Sequence, residues 1–271
     1  MNAPIRWPAE AVWEAVAPLL PGFTVEVLPS IDSTSSELMR RARAGLMEPV
    51  LLAADEQTAG RGRLGKGWHS KAGQSLTFSL ALPLAPADWS GLSLAVGVSL
   101  AESLHPDVRL KWPNDLWLHQ RKLGGILVET ASNGTSVGSA ATHPRLVVVG
   151  VGINIARPET AAVSALDSPD AVLPAMAPAG LSEVLVGLTA GEALARVAPA
   201  LVRDIQAFES QGFTAFAERF ARRDALQGQS VRLSDGTQGT ACGVSPQGAL
   251  LVQTDQGMQA VTSSEVSVRP C

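Results

Sequence analysis

The sequence predicts an α/β (α+β) fold, a mixed sheet packed with helices and followed by a small all-β domain at the C-terminal end. Three observations predict it. Strand-like and helix-like apolar periods interleave from Phe23 to Ile155, and two helical stretches follow, Leu181 to Phe208 and Phe213 to Ala221. From Gly228 onward Val231, Leu233, Leu250, Val252, Val261 and Val266 recur singly among glycines and polar turns, with no helical period.

Taken in order, Val12, Val16, Leu19 and Leu20 fall at helical spacing within residues 8–20, and Pro21-Gly22 ends that pattern. Phe23, Val25 and Val27 alternate as a strand. Thr34 and Glu37 then have capping-box spacing for a helix that Gly45 closes. Val50 to Ala54 reads as a buried strand, residues 55–74 as a long glycine-rich basic loop, and Leu76, Phe78, Leu80 and Leu82 as a strand. Leu92 to Leu104 is an apolar helix. Val108 to Trp112, Leu116 to Leu118, Gly125 to Thr130 and Leu146 to Ile155 have strand character, so a mixed sheet is expected. Ser132 to Pro144 has the Ser, Gly, Ala and Thr content of a flexible hairpin tip, and Ala156 to Gly180 is an Ala/Pro-rich connection. The expected division is a short N-terminal helix in 1–22, a main domain in 23–224 and the β domain in 225–271.

Composition narrows the class. With 46% hydrophobic and 17% charged residues the chain can bury a large core, and its net charge of −4 offers no general basic face for nucleic acid. Two cysteines, Cys242 and Cys271, supply neither a disulfide framework nor a thiolate cluster, so reduced cytoplasm is the expected compartment. No stretch reaches the ~20 apolar residues of a membrane span, so no membrane partner is expected. His69, His105, His119 and His143 lack metal-ligand spacing, and Trp7, Trp13, Trp89 and Trp117 read as packing residues.

Three stretches carry chemistry. Gln57-Thr58-Ala59-Gly60-Arg61-Gly62-Arg63-Leu64-Gly65-Lys66-Gly67-Trp68 alternates glycines with three cations. It contains G-x-G-x-x-G, but a β pattern follows where a dinucleotide site needs a helix, and the Lys-Ser or Lys-Thr ending of a Walker loop is missing. What remains is a backbone able to fold over a ligand, bearing Arg61, Arg63 and Lys66 to meet negative charge, or else a solvated basic loop. In Lys111-Trp112-Pro113-Asn114-Asp115, Pro113 exposes a polar turn, and Lys122 precedes an apolar Gly-Gly strand that can carry its ammonium into a site or leave it on the surface. Val147 to Asn154 is a buried strand whose Gly150 and Gly152 allow close approach of a flat ligand, or are simply core.

Together the Gly-Arg-Gly-Arg loop, the Lys-Trp-Pro-Asn-Asp turn, the Lys122-Leu123-Gly124-Gly125-Ile126-Leu127-Val128-Glu129 strand and the Gly-x-Gly-x-Asn strand resemble the biotin protein ligase family, in the family's order. The form resembled is the one without an N-terminal DNA-binding domain, since the segment before Gly22 is shorter than the roughly 50 residues a small domain needs, and no DNA partner is expected. The resemblance covers Ser33 to Asn154 and resumes at Gln247 to Val252 and Glu265 to Arg269. It implies a ligase domain of the biotin/lipoate ligase type, class II aminoacyl-tRNA synthetase-like, with a C-terminal SH3-like β-barrel.

The same resemblance implies an ATP-dependent activity that forms biotinyl-AMP and pyrophosphate, then transfers biotin to a lysine of the biotin carboxyl carrier protein of acetyl-CoA carboxylase. Biotin would lie against Ser33, Thr34, Ser35, Gln57, Gly60, Arg61, Gly62, Arg63, Lys122 and Gly125. Ser35 stands where many relatives carry Asn, but its hydroxyl still hydrogen-bonds. Arg63, Lys66, Trp68, Lys111, Asn114, Asn154 and Arg269 would take ATP, with Arg63 and Lys122 as catalytic cations. Mg²⁺ would bridge phosphates, with Asp115 on the metal side. Family members differ in dimerisation, so a homodimer is one expected assembly. The alternatives are a lipoate or octanoate ligase, whose Arg-Arg-x-x-Gly-Gly-Gly motif is absent from this sequence, and a non-catalytic biotin-binding sensor.

Overall fold

The computed structural model describes residues 6–131, 144–158, 177–262 and 268–270. The elements in chain order are α1 (Ala9–Val16), β1 (Thr24–Ile31), α2 (Thr34–Arg43), β2 (Val50–Gln57), β3 (Gly60–Arg61), β4 (Gly67–Trp68), β5 (Ser75–Leu84) and α3 (Leu92–Leu104). There follow β6 (Arg109–Lys111), β7 (Asp115–Leu118), β8 (Arg121–Ala131), β9 (Arg145–Asn154), α4 (Ala190–Gln211) and α5 (Ala217–Ala221). The C-terminal strands are β10 (Ser230–Leu233), β11 (Gln238–Val244), β12 (Leu250–Thr254), β13 (Gly257–Val261) and β14 (Val268–Pro270).

Seven strands form the central sheet in the order β1-β2-β5-β9-β8-β7-β6. β1 and β2 run parallel and the remaining pairs antiparallel, so the sheet is mixed, as the sequence predicts. Side chains alternate between faces along a strand. On one face Leu76, Phe78, Leu80 and Leu82 of β5 and Val147, Val149, Val151 and Ile153 of β9 join α1, α3 and α4 in the main core. On the other, Leu52, Ala81, Leu146 and Val148 pack against Leu38, Met39 and Ala42 of α2, but this smaller cluster covers only part of the sheet. The uncovered part holds the site.

Several local expectations are corrected. Ser33, not Thr34, is the N-cap of α2, its hydroxyl accepting the Ser36 N–H at 3.3 Å. Thr34 is drawn instead toward Gln57, and Glu37 pairs with Arg40 and Arg41. Gly45, at φ +89°, does close the helix. Residues 55–74 are not one open loop: β2 extends to Gln57, and β3 and β4 form a small hairpin around a 3-10 turn at Arg63–Gly65. The predicted helix from Leu181 begins at Ala190, where Thr189 and Glu192 form a capping box; only a 3-10 turn occupies Leu181–Glu183.

The C-terminal strands make a five-stranded antiparallel sheet, β13-β12-β11-β10-β14, which is coarser than the barrel the resemblance implies. Its Val231, Leu250 and Val252 belong to the main hydrophobic core. It is tied to the larger sheet by the Trp112 indole donating to the Gly248 carbonyl at 3.0 Å, and by Leu110 bonding to Arg223 and Ala225. The expectations for Ser132 to Pro144 and Ala156 to Gly180 lie largely outside the described residues, as do His143, Val266 and Cys271. Among the described residues no helix is long and apolar enough to cross a membrane.

Candidate active site

The site follows from strand register. Thr77 of β5, Gly152 of β9, Gly125 of β8 and Asp115 of β7 form one row across four strands, and Ser79, Gly150 and Leu127 form the next. Apart from Leu127, these rows carry polar or missing side chains, which leave a hollow beside α2. A Cβ at Gly152 would lie 2.5 Å from the Trp68 ring, and one at Gly150 would overlap the Ser35 hydroxyl, so both positions need glycine for close approach. The hairpin β3-β4 folds over the hollow, leaving a partly open cavity of about 210 Å³.

One end of the cavity is a floor of hydroxyls and an amide. Ser33, Thr34 and Ser35, at the N-terminus of α2, line it and are nearly fully buried. Gln57, the last residue of β2, accepts at Oε1 from the Thr34 backbone N–H at 2.7 Å and its hydroxyl at 3.1 Å. The turn that presents these residues is braced by Asp32, whose carboxylate takes Arg40 at two atoms and the Ser33 N–H at 2.7 Å. The Arg40 guanidinium, then the Ser33 N–H, hold the Asp32 carboxyl at about 2.

Cations gather at the other end. Arg63, Lys66, Lys111 and Lys122 all line the cavity. Lys122 Nζ donates to Asp115 Oδ1 at 2.7 Å, and Lys111 lies 5.3 Å from the centre of the Trp117 ring. Asn114 connects the two loops, donating to the Ile126 carbonyl at 2.8 Å and lying 3.4 Å from Arg63 Nη1. Burial pushes the Arg63 guanidinium below its usual range, and Asp115 opposes that shift through its charge. A cation kept from water in this way gains from an anionic ligand.

Arg61 also lines the cavity, but its guanidinium is held by neighbouring elements. Its guanidinium donates to Ser36 Oγ at 3.1 Å and Glu129 Oε1 at 2.5 Å, latching β3 to α2 and β8. Ser36 and Glu129, and Ser79 beneath the floor, carry no motif that marks them in the sequence as site residues. Ser79 belongs to the polar, odd-numbered rank of the Ser75-Leu76-Thr77-Phe78-Ser79-Leu80 alternation. Of the remaining predicted residues, Gly62, Trp68 and Gly125 line the cavity, whereas Gly60 is buried in the hairpin with a Cβ position occupied by the Trp68 carbonyl. Asn154 is not among the lining residues; its amide donates to the Ala179 carbonyl at 3.0 Å. Arg269 lies in β14, in register with Arg232.

A hydroxyl-and-amide pocket that continues into a cluster of cations, under a folded hairpin on a mixed sheet, defines a protein able to hold a small polar ring beside an anion. Residues 27–154 match the biotin/lipoate A/B protein ligase family, and residues 227–269 match the biotin protein ligase C terminal domain. The chain is 34% identical over 261 residues to the bifunctional ligase/repressor BirA of Escherichia coli, covering 92% of this chain and 75% of that protein. It is 32% identical to the biotin–[acetyl-CoA-carboxylase] ligase of Paracoccus denitrificans, over 89% of this chain and 98% of the other. Its structure is similar to the biotin protein ligase from Aquifex aeolicus in complex with biotin and ATP, with a TM-score of 0.71 and 27% identity, over 91% of this chain and 99% of that one. This chain belongs to the biotin protein ligase family.

Proposed function

We propose that the protein is an ATP-dependent biotin protein ligase that joins biotin to a lysine of a biotin carboxyl carrier protein. The observation that carries this reading is the continuity of the cavity: its neutral polar floor and its cationic end share one partly open space of about 210 Å³. A ureido ring must have its carbonyl and both N–H groups paired when buried, and Ser33, Thr34, Ser35 and Gln57 supply donors and acceptors for it. The valeryl carboxylate then reaches toward Lys122 and Arg63. These cations offset the repulsion between the carboxylate and the α-phosphate, and stabilise charge as a carboxylate oxygen attacks phosphorus and pyrophosphate leaves. Lys66, Lys111 and Asn114 are placed to take the remaining phosphates, and Trp68 to stack with adenine; Asn154 and Arg269 belong to the nucleotide end in the same proposal. In the second step a neutral carrier lysine attacks the acyl carbon, AMP leaves, and the nitrogen gives up a proton. No enzyme nucleophile enters.

Among the described residues no three His, Cys, Asp or Glu side chains converge on a metal position. Asp115 is a single carboxylate at the cavity, which fits Mg²⁺ carried in on ATP phosphates, since that ion keeps few protein ligands. When bound, it would neutralise phosphate charge beside Asp115. We read residues 225–271 as the SH3-like domain, supported by five antiparallel strands in which β14 returns to pair with β10, and 23–224 as the catalytic domain behind the 1–22 helix. Homodimerisation stays part of the proposal, as the family offers it.

The test is pyrophosphate release from ATP and Mg²⁺ with biotin, lipoate or octanoate. Release that requires biotin is expected. Turnover with lipoate or octanoate alone would overturn the reading, and biotin binding without pyrophosphate would leave a sensor in its place.

A further inference from the structure

We propose that Ser79 is a specificity-determining positioning residue: from beneath the cavity it turns the lone pairs of Thr34 and Ser35 toward the ligand, so that the site selects a ring bearing N–H donors. This rests on the function proposed above and deepens it.

Ser79 lies in the middle of β5, is 0% exposed and does not line the cavity. Its Oγ sits 2.8 Å from Thr34 Oγ1 and 3.0 Å from Ser35 Oγ. A hydroxyl has one proton to give, so the direction of the chain is set at whichever end lacks a choice. That end is Gln57. Its Oε1 is identified as the oxygen because it accepts the Thr34 backbone N–H at 2.7 Å, and a carbonyl oxygen cannot donate. The Thr34 hydroxyl, 3.1 Å from the same atom, therefore gives its proton to Gln57. Ser79 must then donate to Thr34, and Ser35 to Ser79.

The consequence falls on the cavity side. Every proton of the three hydroxyls is directed into the protein, leaving Thr34 with one unused lone pair and Ser35 with two. Both residues line the cavity. A cyclic urea meets that surface with N–H groups, whereas a ring with oxygen in place of nitrogen meets it with lone pair against lone pair. Gly150 makes the arrangement fit, because a side chain there would occupy the Ser35 hydroxyl position. Removing the Ser79 hydroxyl releases the Ser35 proton, and the floor becomes able to donate as well as accept.

The experiment compares binding of biotin with binding of a carbamate analogue in which one ureido N–H is replaced by a ring oxygen, by calorimetry on the wild-type protein, Ser79→Ala and Ser79→Cys. Wild type is expected to prefer biotin by roughly 100-fold or more, since a buried acceptor facing a lone pair goes unpaired. Ser79→Ala should cut that preference about tenfold while KM for ATP stays unchanged. Ser79→Cys, a weak donor of similar shape, should fall between them and serves if the alanine variant does not fold. Equal weakening of both ligands, with the preference intact, would overturn the proposal and leave Ser79 a packing residue. Failure of folded wild-type protein to bind biotin at all would instead overturn the function on which it rests.

Discussion

The two faces of the central sheet divide the protein's tasks. Along β9, Val147, Val149, Val151 and Ile153 enter the main core, while the intervening positions begin apolar at Leu146 and Val148 and then become Gly150, Gly152 and Asn154. β5 does the same in mirror sense, with four leucines and a phenylalanine on one side and Ser75, Thr77, Ser79 and Ala81 on the other. Because a strand has period 2, one segment supplies packing energy through one rank and a ligand site through the next, without either compromising the other. Mutations on the two faces should therefore separate stability from activity.

The largest effect is expected on the core face. Leu80→Ala, at a fully buried position, should lower unfolding free energy by about 2–5 kcal/mol in a denaturant titration, with activity per folded molecule retained. On the site face, Lys122→Ala should lower biotin-dependent pyrophosphate release by roughly 10²–10³-fold with little change in melting temperature, because a preorganised cation is removed from the reacting groups. Comparable melting losses from both substitutions would break the division. Gly152→Ala tests the boundary between them: the new methyl forces Trp68 to move, costing about 1–3 kcal/mol of strain and weakening ATP binding, as calorimetry would show.

The smallest expected effect is the response to acid. The folded-state carboxyl of Asp32 is depressed from 3.8 to about 2, so its stabilising contribution is complete above the unfolded value and is lost as pH falls from about 4 toward 2. Asp32 and Arg40 are half exposed, so solvent screens the pair. Asp32→Asn should flatten that part of the stability profile and leave the contribution of Asp224 untouched. Burial raises the Asp224 carboxyl, with backbone N–H groups of Leu226 and Gln227 opposing. Its raised value destabilises the fold as pH climbs through it, so Asp224→Asn should stabilise the protein at neutral pH and lose that advantage in acid.

Much of this arrangement was legible in the sequence. The helix Leu92–Leu104 has the predicted ends, and the four strands after it appear within a few residues of their apolar cores. The chemical stretches could be read because their residue types are unusual together: cations beside glycines, and a proline-bounded polar turn. What could not be read was decided by partners distant in sequence. Four consecutive hydroxyl residues, Ser33 to Ser36, each suit a helix cap, and the choice of Ser33 follows from Gln57 and Ser79 drawing Thr34 away. The hairpin inside 55–74 has no apolar period to announce it, and its anchorage depends on Glu129, far along the chain from Arg61. Ser79 differs again: its alternation marks it as polar and on the face opposite the core, but its partners Thr34 and Ser35 lie more than forty residues away in the chain.

The most direct test of the account is the mass of a biotin carrier domain after incubation with the protein, biotin, ATP and Mg²⁺, followed by peptide mapping of the modified residue. The account predicts one biotinyl group on a single carrier lysine, dependent on ATP and absent with Lys122→Ala. An unmodified carrier in the presence of folded, biotin-bound wild-type protein would contradict it.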